Sequence, residues 1–132
     1  MHKVIKNGLV GIIISVLHLI VIIILYKNSN NNLLWYHYVF AFLAFLMYGF
    51  LISMVIGLLL DRYRLRDWLK GGILGIVYTL IFSVIISSLI ANVIGTGFNG
   101  FILLFTTTFI IWTVPSFVFG IIANYVVKKL ER

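Results

Sequence analysis

The chain has 132 residues, 63% of them hydrophobic and only 10% charged, where a soluble domain carries about 25% charged residues. That balance excludes a water-soluble fold and leaves room for one membrane domain, residues 1–132. Lys and Arg outnumber Asp and Glu by 10 to 3, and the lack of cysteine excludes disulfides, thiolate catalysis and thiolate metal sites.

The first apolar run, residues 4–26, follows a basic start of His2, Lys3 and Lys6. It is too long for a secretory h-region, and its exit at Lys27-Asn28-Ser29-Asn30 lacks a small-x-small cleavage pattern. We therefore read an uncleaved membrane helix. Gly8, Gly11, Ser15 and His18 share one face of it, opposite a lipid face of Ile, Leu and Val. Residues 28–32 form a polar turn. Trp35, Tyr36, His37 and Tyr38 then make an aromatic belt suited to the membrane–water interface, with His37 as an interfacial anchor. The second run, residues 33–60, would measure about 42 Å as one helix, against a hydrocarbon core of about 30 Å. It must tilt or begin in the headgroup layer. Gly49, Ser53 and Gly57 recur at every fourth position, a close-packing seam.

Residues 61–70 are the one strongly charged loop, with Arg62, Arg64, Arg66 and Lys70 available to anionic headgroups. The third run, residues 71–94, carries the longest seam: Gly71, Gly75, Thr79, Ser83, Ser87, Ala91 and Gly95. It spans about 36 Å at helical pitch. Because residues four apart advance about 40° round a helix, no straight neighbour can follow the whole row. The expectation is an internal spine touched by several helices, its Gly71–Thr79 half against helix two. A tight uncharged turn at residues 95–100 leads to the fourth run, residues 101–127. Pro115 removes a donor opposite Ile111, so a kink or loosening is expected, with Thr113 and Ser116 hydroxyls nearby to compensate. Asn92 and Asn124 read as glue between helices.

The expected fold is thus an all-α membrane protein, four transmembrane helices in an up-down bundle with both termini cytoplasmic. The orientation comes from counting cations. Lys3, Lys6, Arg62, Arg64, Arg66, Lys70, Lys128, Lys129 and Arg132 share one side and Lys27 stands on the other.

His18 is an ionisable side chain well inside a span, a candidate proton carrier or ligand. The competing reading is a neutral imidazole bonded to hydroxyls at similar depth, for which Ser87 and Thr108 are the candidates. The histidines share no metal-ligand spacing and no carboxylate lies within a span, so no metal or cofactor is expected. Nor is catalysis expected. The chain offers no nucleophile beside a base, no paired carboxylates and no phosphate-cradling glycine loop.

Two families of similar length are set aside. Small multidrug-resistance transporters keep a membrane-embedded glutamate where this chain has Ser15 and His18. Small fluoride channels carry an arginine-containing glycine motif that Gly8-Leu9-Val10-Gly11 does not reproduce. The stretch Tyr48-Gly49-Phe50-Leu51-Ile52-Ser53, leading to Leu60-Asp61, resembles part of the uncharacterised small four-helix membrane proteins of Bacillus-type Gram-positive bacteria. That resemblance implies a source and no activity. The expected function is an accessory, assembly or immunity-type protein of the bacterial cytoplasmic membrane. It would act by helix–helix contact with a membrane-protein partner or a second copy, not with nucleic acid. The alternatives are a small homo-oligomeric channel or transporter and, on small size and a basic tail, a lysis-type holin.

Overall fold

A computed structural model describes residues 2–25 and 35–131, with the side chains of residues 25 and 35–38 outside the description. The expected turn at residues 28–32, Lys27, Arg132 and the aromatic belt side chains, His37 included, lie outside the described residues. The regular structure among the described residues is all helical: α1 (Lys3–Leu25), α2 (Trp35–Leu60), α3 (Asp67–Ile94) and α4 (Gly97–Leu130). All four are long and apolar enough to cross a membrane.

Two helix starts differ by four residues from the sequence reading, and α4 ends at Leu130, three residues beyond its expected run. Helix α3 starts four residues early, so residues 67–70 of the expected loop are helical. Arg66 is the extended residue ahead of it (φ −65°, ψ 149°), and Asp67 in the first turn suits the positive end of the helix dipole. Helix α4 starts at Gly97, which shortens the expected turn to residues 95–96. Gly95 and Gly97 take φ values of 78° and 68°, a region that side chains resist, and so reverse the chain within very few residues. Gly95 caps α3 by donating its N–H to the Ala91 carbonyl at 2.9 Å. Among the described residues nothing lies within 4 Å of where a Gly95 side chain would begin, so Gly95 ends the helix and does not belong to the seam. The other six seam residues, Gly71, Gly75, Thr79, Ser83, Ser87 and Ala91, are buried.

Packing forms two helix pairs, α1 with α2 and α3 with α4. In the first pair the backbones touch: a methyl group on Gly11 would land on the Gly49 carbonyl, and one on Gly49 would land on Ser15 and the Gly11 carbonyl. Gly57 faces Asn7, and Gly8 lies under the Phe50 ring. In the second pair Gly71 faces the Gly120 carbonyl, Gly75 the Ser116 carbonyl, and Gly120 the Gly71 carbonyl. The Gly71–Thr79 half of the seam therefore packs on α4, not on α2 as the sequence reading had it. The reason is complementarity. The small residues of α2 are already against α1, whereas Ser116 and Gly120 offer α3 a matching flat surface. Helices α2 and α3 meet through larger groups, with Phe45–Phe82 and Tyr48–Tyr78 ring centroids 5.0 and 4.9 Å apart. Helix α4 continues unbroken through Pro115. The Thr113 hydroxyl there bonds the Phe109 carbonyl, not the Ile111 carbonyl.

The apolar core is Val10, Ile14, Leu74, Tyr78, Ala123 and Val127. It occupies the half of the bundle nearer the Asp61–Asp67 connection. Because the groups opposing Gly75 are backbone atoms, a side chain there cannot be accommodated by a rotamer change. Gly75→Ala should lose about 1–3 kcal/mol of stability, and Gly75→Leu should melt well below the parent protein in detergent. A Gly75→Leu protein that stayed well folded and merely changed oligomeric state would assign the seam to a contact between chains.

Candidate functional site

Helical spacing brings polar groups from all four helices to one level of the bundle. Ser15 and His18 stand on the α1 face that also carries Gly11. Tyr78 and Thr79 project from α3 beside Gly75, and Trp112, Ser116 and Phe119 share one side of α4. Ser15, Tyr78, Thr79 and Ser116 are at most 1% exposed and His18 is 3% exposed, so every polar atom here needs a partner.

With the imidazole neutral, the partners set the direction of each hydrogen bond. His18 Nδ1 lies 2.8 Å from the Ile14 carbonyl, which can only accept, so this nitrogen carries the ring proton of the neutral imidazole. His18 Nε2 is then an acceptor and receives the Ser116 hydroxyl at 2.8 Å. Ser116 has given up its one hydrogen, so the Thr79 hydroxyl donates to Ser116. The chain reads Thr79 to Ser116 to His18 to the α1 backbone. A second chain runs beside it. Ser15 donates to the Phe45 carbonyl at 2.9 Å, so the Tyr78 hydroxyl, 2.8 Å away, donates to Ser15. Tyr48 donates to the Tyr78 carbonyl at 2.7 Å. Both directed chains end on backbone carbonyls.

An aromatic box surrounds the imidazole. Tyr78 stacks on it at 5.0 Å and 29°, Phe119 meets it edge-on at 5.1 Å, and Trp112 lies tilted at 5.6 Å. The box is filled by the protein's own ring. To take up a proton at Nε2, His18 would require Ser116 to turn its hydrogen away from the ring to another acceptor, and the acidic side chains Asp61, Asp67 and Glu131 all lie at the bundle end. This arrangement chemically favours a neutral structural histidine.

The sequence reading placed Ser87 and Thr108 beside His18. Ser116 takes that place, because α1 and α4 are level at their charged ends, where Lys6 meets Glu131, and not at the opposite ends from which depth is counted: His18 lies 15 residues from the start of α1 and Ser116 14 residues from the end of α4. Ser87 is buried, and its hydroxyl, like those of Ser53 and Ser83, has no partner among the described residues. Thr108 is half-buried on α4. Tyr78, Tyr48 and Asn7 were missed as site residues. A phenol in mid-span was the available signal, since burying its hydroxyl demands a partner.

The second polar cluster closes the bundle end. Asn7, 1% exposed, donates to Asp61 at 2.9 Å and accepts from Lys70 at 2.8 Å, while Lys70 also reaches Asp61 at 2.6 Å. Lys70 is therefore an ion-pair partner and not the headgroup contact expected of it, because the early start of α3 turns it inward. Arg62, Arg64 and Arg66 are exposed. Asp67 pairs with Lys128, and Glu131 with Lys6 at 2.9 Å. Each acidic side chain thus ties a different pair of segments together. Asn124 donates to the Asp67 carbonyl at 2.8 Å, joining α4 to α3. Asn92 is exposed and does not bind helices together. Burial by itself would raise the Asp61 carboxyl, but the hydrogen bonds from Lys70 and Asn7, with the charges of Lys70 and Lys3, hold it below its ordinary value of 3.8.

Four helices long and apolar enough to span a bilayer define the class, a multi-pass helical membrane protein. No family model, curated protein or solved structure matches the chain.

Two expectations follow for the clusters. His18→Ala removes a packed ring and the acceptor for Ser116, and should lower stability by roughly 2–4 kcal/mol in detergent unfolding. Tyr78→Phe, which loses one hydrogen bond and little volume, should lower it by only about 1 kcal/mol. Asp61 has a lower pKa folded than unfolded, so its stabilising contribution is complete above the unfolded value and drains away as pH falls through the folded one. Melting followed from neutral to strongly acidic pH should show this loss below about pH 4. Asp61→Asn should reduce that part of the pH dependence and destabilise the protein at neutral pH.

Proposed function

We propose that this chain is a multi-pass protein of the cytoplasmic membrane of a Gram-positive bacterium. Its helices alternate in direction in an up-down bundle with both termini inside. It acts without catalysis, as an accessory, assembly or immunity-type protein that works by helix–helix contact.

One observation carries this reading. The polar side chains of the four-helix junction bind one another, whereas residues 39–44 of α2 are exposed at six consecutive positions. Six residues exceed one helical turn of 3.6, so that stretch is open in every direction around the helix, to lipid or to another membrane helix. The pairing of α1 with α2 and α3 with α4 supports alternating directions, and the excess of Lys and Arg at one end supports cytoplasmic termini.

A specific feature favours the rival reading of a small channel or transporter. The Ser53, Ser83 and Ser87 hydroxyls are buried without partners among the described residues, and such groups could be offered to a passing solute. Purified protein in liposomes separates the two. The accessory reading expects no solute or proton flux above empty vesicles, and reproducible flux abolished by replacing Ser83 and Ser87 with Ala would overturn it. The lack of native cysteine also permits clean single-cysteine labelling. In intact cells Asn99→Cys should react with an impermeant maleimide, and Arg64→Cys should react only after lysis.

A further inference from the structure

At the charged end, outside the hydrogen-bonded clusters, the start of α3 and the last turns of α4 enclose a groove of about 580 Å³. That is within the range of small-molecule sites. Its walls are Arg66, Trp68, Ile121, Tyr125, Lys128 and Lys129. From this groove we infer a discrete binding site for the phosphodiester headgroup of an anionic phospholipid.

Three features select that occupant. The first is charge. Three cations line the groove with a single carboxylate, Asp67, and Lys128 already neutralises it. Arg66 and Lys129 are left without an acidic partner among the described residues. Arg66 is the better phosphate ligand by shape, because its planar guanidinium can meet two phosphate oxygens at once. The second is amphipathic lining. Trp68 and Tyr125 are half or more exposed, each presenting an apolar ring and a polar edge, as side chains at the headgroup level do. Lys129 lies over the Tyr125 ring, 5.7 Å from its centroid, a contact that favours an ammonium position at the groove. The third is depth. The groove lies beside the Gly71–Asn124 contact, at the helix ends that carry Lys128 and Lys129. Asn124 forms its inner wall, and the side chain there is fixed by the Asp67 carbonyl.

The site differs from the exposed loop cations Arg62 and Arg64, which offer charge without walls. It also rests only on the membrane-spanning reading and not on the accessory role, so liposome flux would leave it standing.

The test uses the purified full chain and native mass spectrometry from mixed vesicles of phosphatidylcholine and phosphatidylglycerol. The parent protein should retain one phosphatidylglycerol in preference to phosphatidylcholine. One contact to a headgroup oxygen lost from the groove corresponds to about a fivefold change in affinity, beyond the diffuse attraction that any cation at the surface supplies. Lys129→Gln should therefore weaken retention about fivefold, and Arg66→Gln with Lys129→Gln about thirtyfold. The control pair Arg62→Gln with Arg64→Gln should change it less than the groove pair does. All these side chains are exposed, so melting in phosphatidylcholine alone should be unchanged, which separates lost lipid from lost fold. Equal losses in the groove and control pairs would mean diffuse surface attraction and would overturn the site. Displacement of the lipid by millimolar glycerol phosphate or inorganic phosphate would overturn the lipid as its occupant.

Discussion

Hydrocarbon removes the force that usually assembles helices. Lipid tails are as apolar as Leu or Ile, so burying such side chains against one another gains little, and close contact between backbones has to do the work. In this protein that contact is made twice, at Gly11 against Gly49 and at Gly71 and Gly75 against Ser116 and Gly120. In both places the opposing atoms are carbonyl groups, which have no rotamers with which to yield. Each contact therefore fixes a register and not merely an association, and the positions of the polar groups follow from those registers.

The polar junction shows what a fixed register makes possible. With Gly75 seated on Ser116, the Thr79 hydroxyl one turn along α3 reaches Ser116, and Ser116 in turn reaches His18 on α1. Each such bond within a membrane bundle is worth only about 0.6–2 kcal/mol. Their effect is mainly on geometry. A helix slipped by one turn would leave several buried hydroxyls and a ring nitrogen unpaired in a medium without water, where each would cost several kcal/mol. The junction thus ties the α1–α2 pair to the α3–α4 pair, which share few small residues. At the basic end the ion pairs act in the same sense. The Asp61–Lys70 pair, its side chains 23% and 13% exposed, is the best shielded of the three and should contribute most, since exposed pairs contribute little.

Much of this order is written in residue types, and the part that is not depends on pairing. The existence of four helices was legible because each is a long apolar run, and most of the α3 seam because small residues recur at one spacing. Which helix the seam meets was not legible. Gly49, Ser53 and Gly57 on α2 and Ser116, Gly120 and Asn124 on α4 are equally good complements when read as strings, and only the competing claim of α1 on α2 decides between them. Gly95 fits the spacing but belongs to the turn, a distinction carried by its backbone angle. Lys70 was read as loop charge because a four-residue shift in a helix start turns a side chain from outside to inside. His18 stood out as an anomaly, yet its partner on α4 was not legible, because α1 and α4 are level at their charged ends and not at the ends from which depth is counted.

The bundle is also uneven along its length, and that unevenness bears on how it could work. Buried residues on α1 end at His18 and those on α4 begin at Ser116, so the junction is the last tightly packed level between these two helices. On one side of it lie the apolar core, the ion pairs and the headgroup groove proposed above. On the other, α1 and α2 present large apolar side chains such as Ile23, Ile24, Phe40 and Leu43. A partner helix that docked on the proposed reading would meet this open part of α1 and α2, while α3 keeps Ser83, Ser87 and Ala91 buried at the same end. It could do so without displacing any glycine contact or buried hydrogen bond, while the opposite end stayed anchored by charge. Contact surface and anchor would then occupy separate ends of the protein, joined by the rigid registers between them.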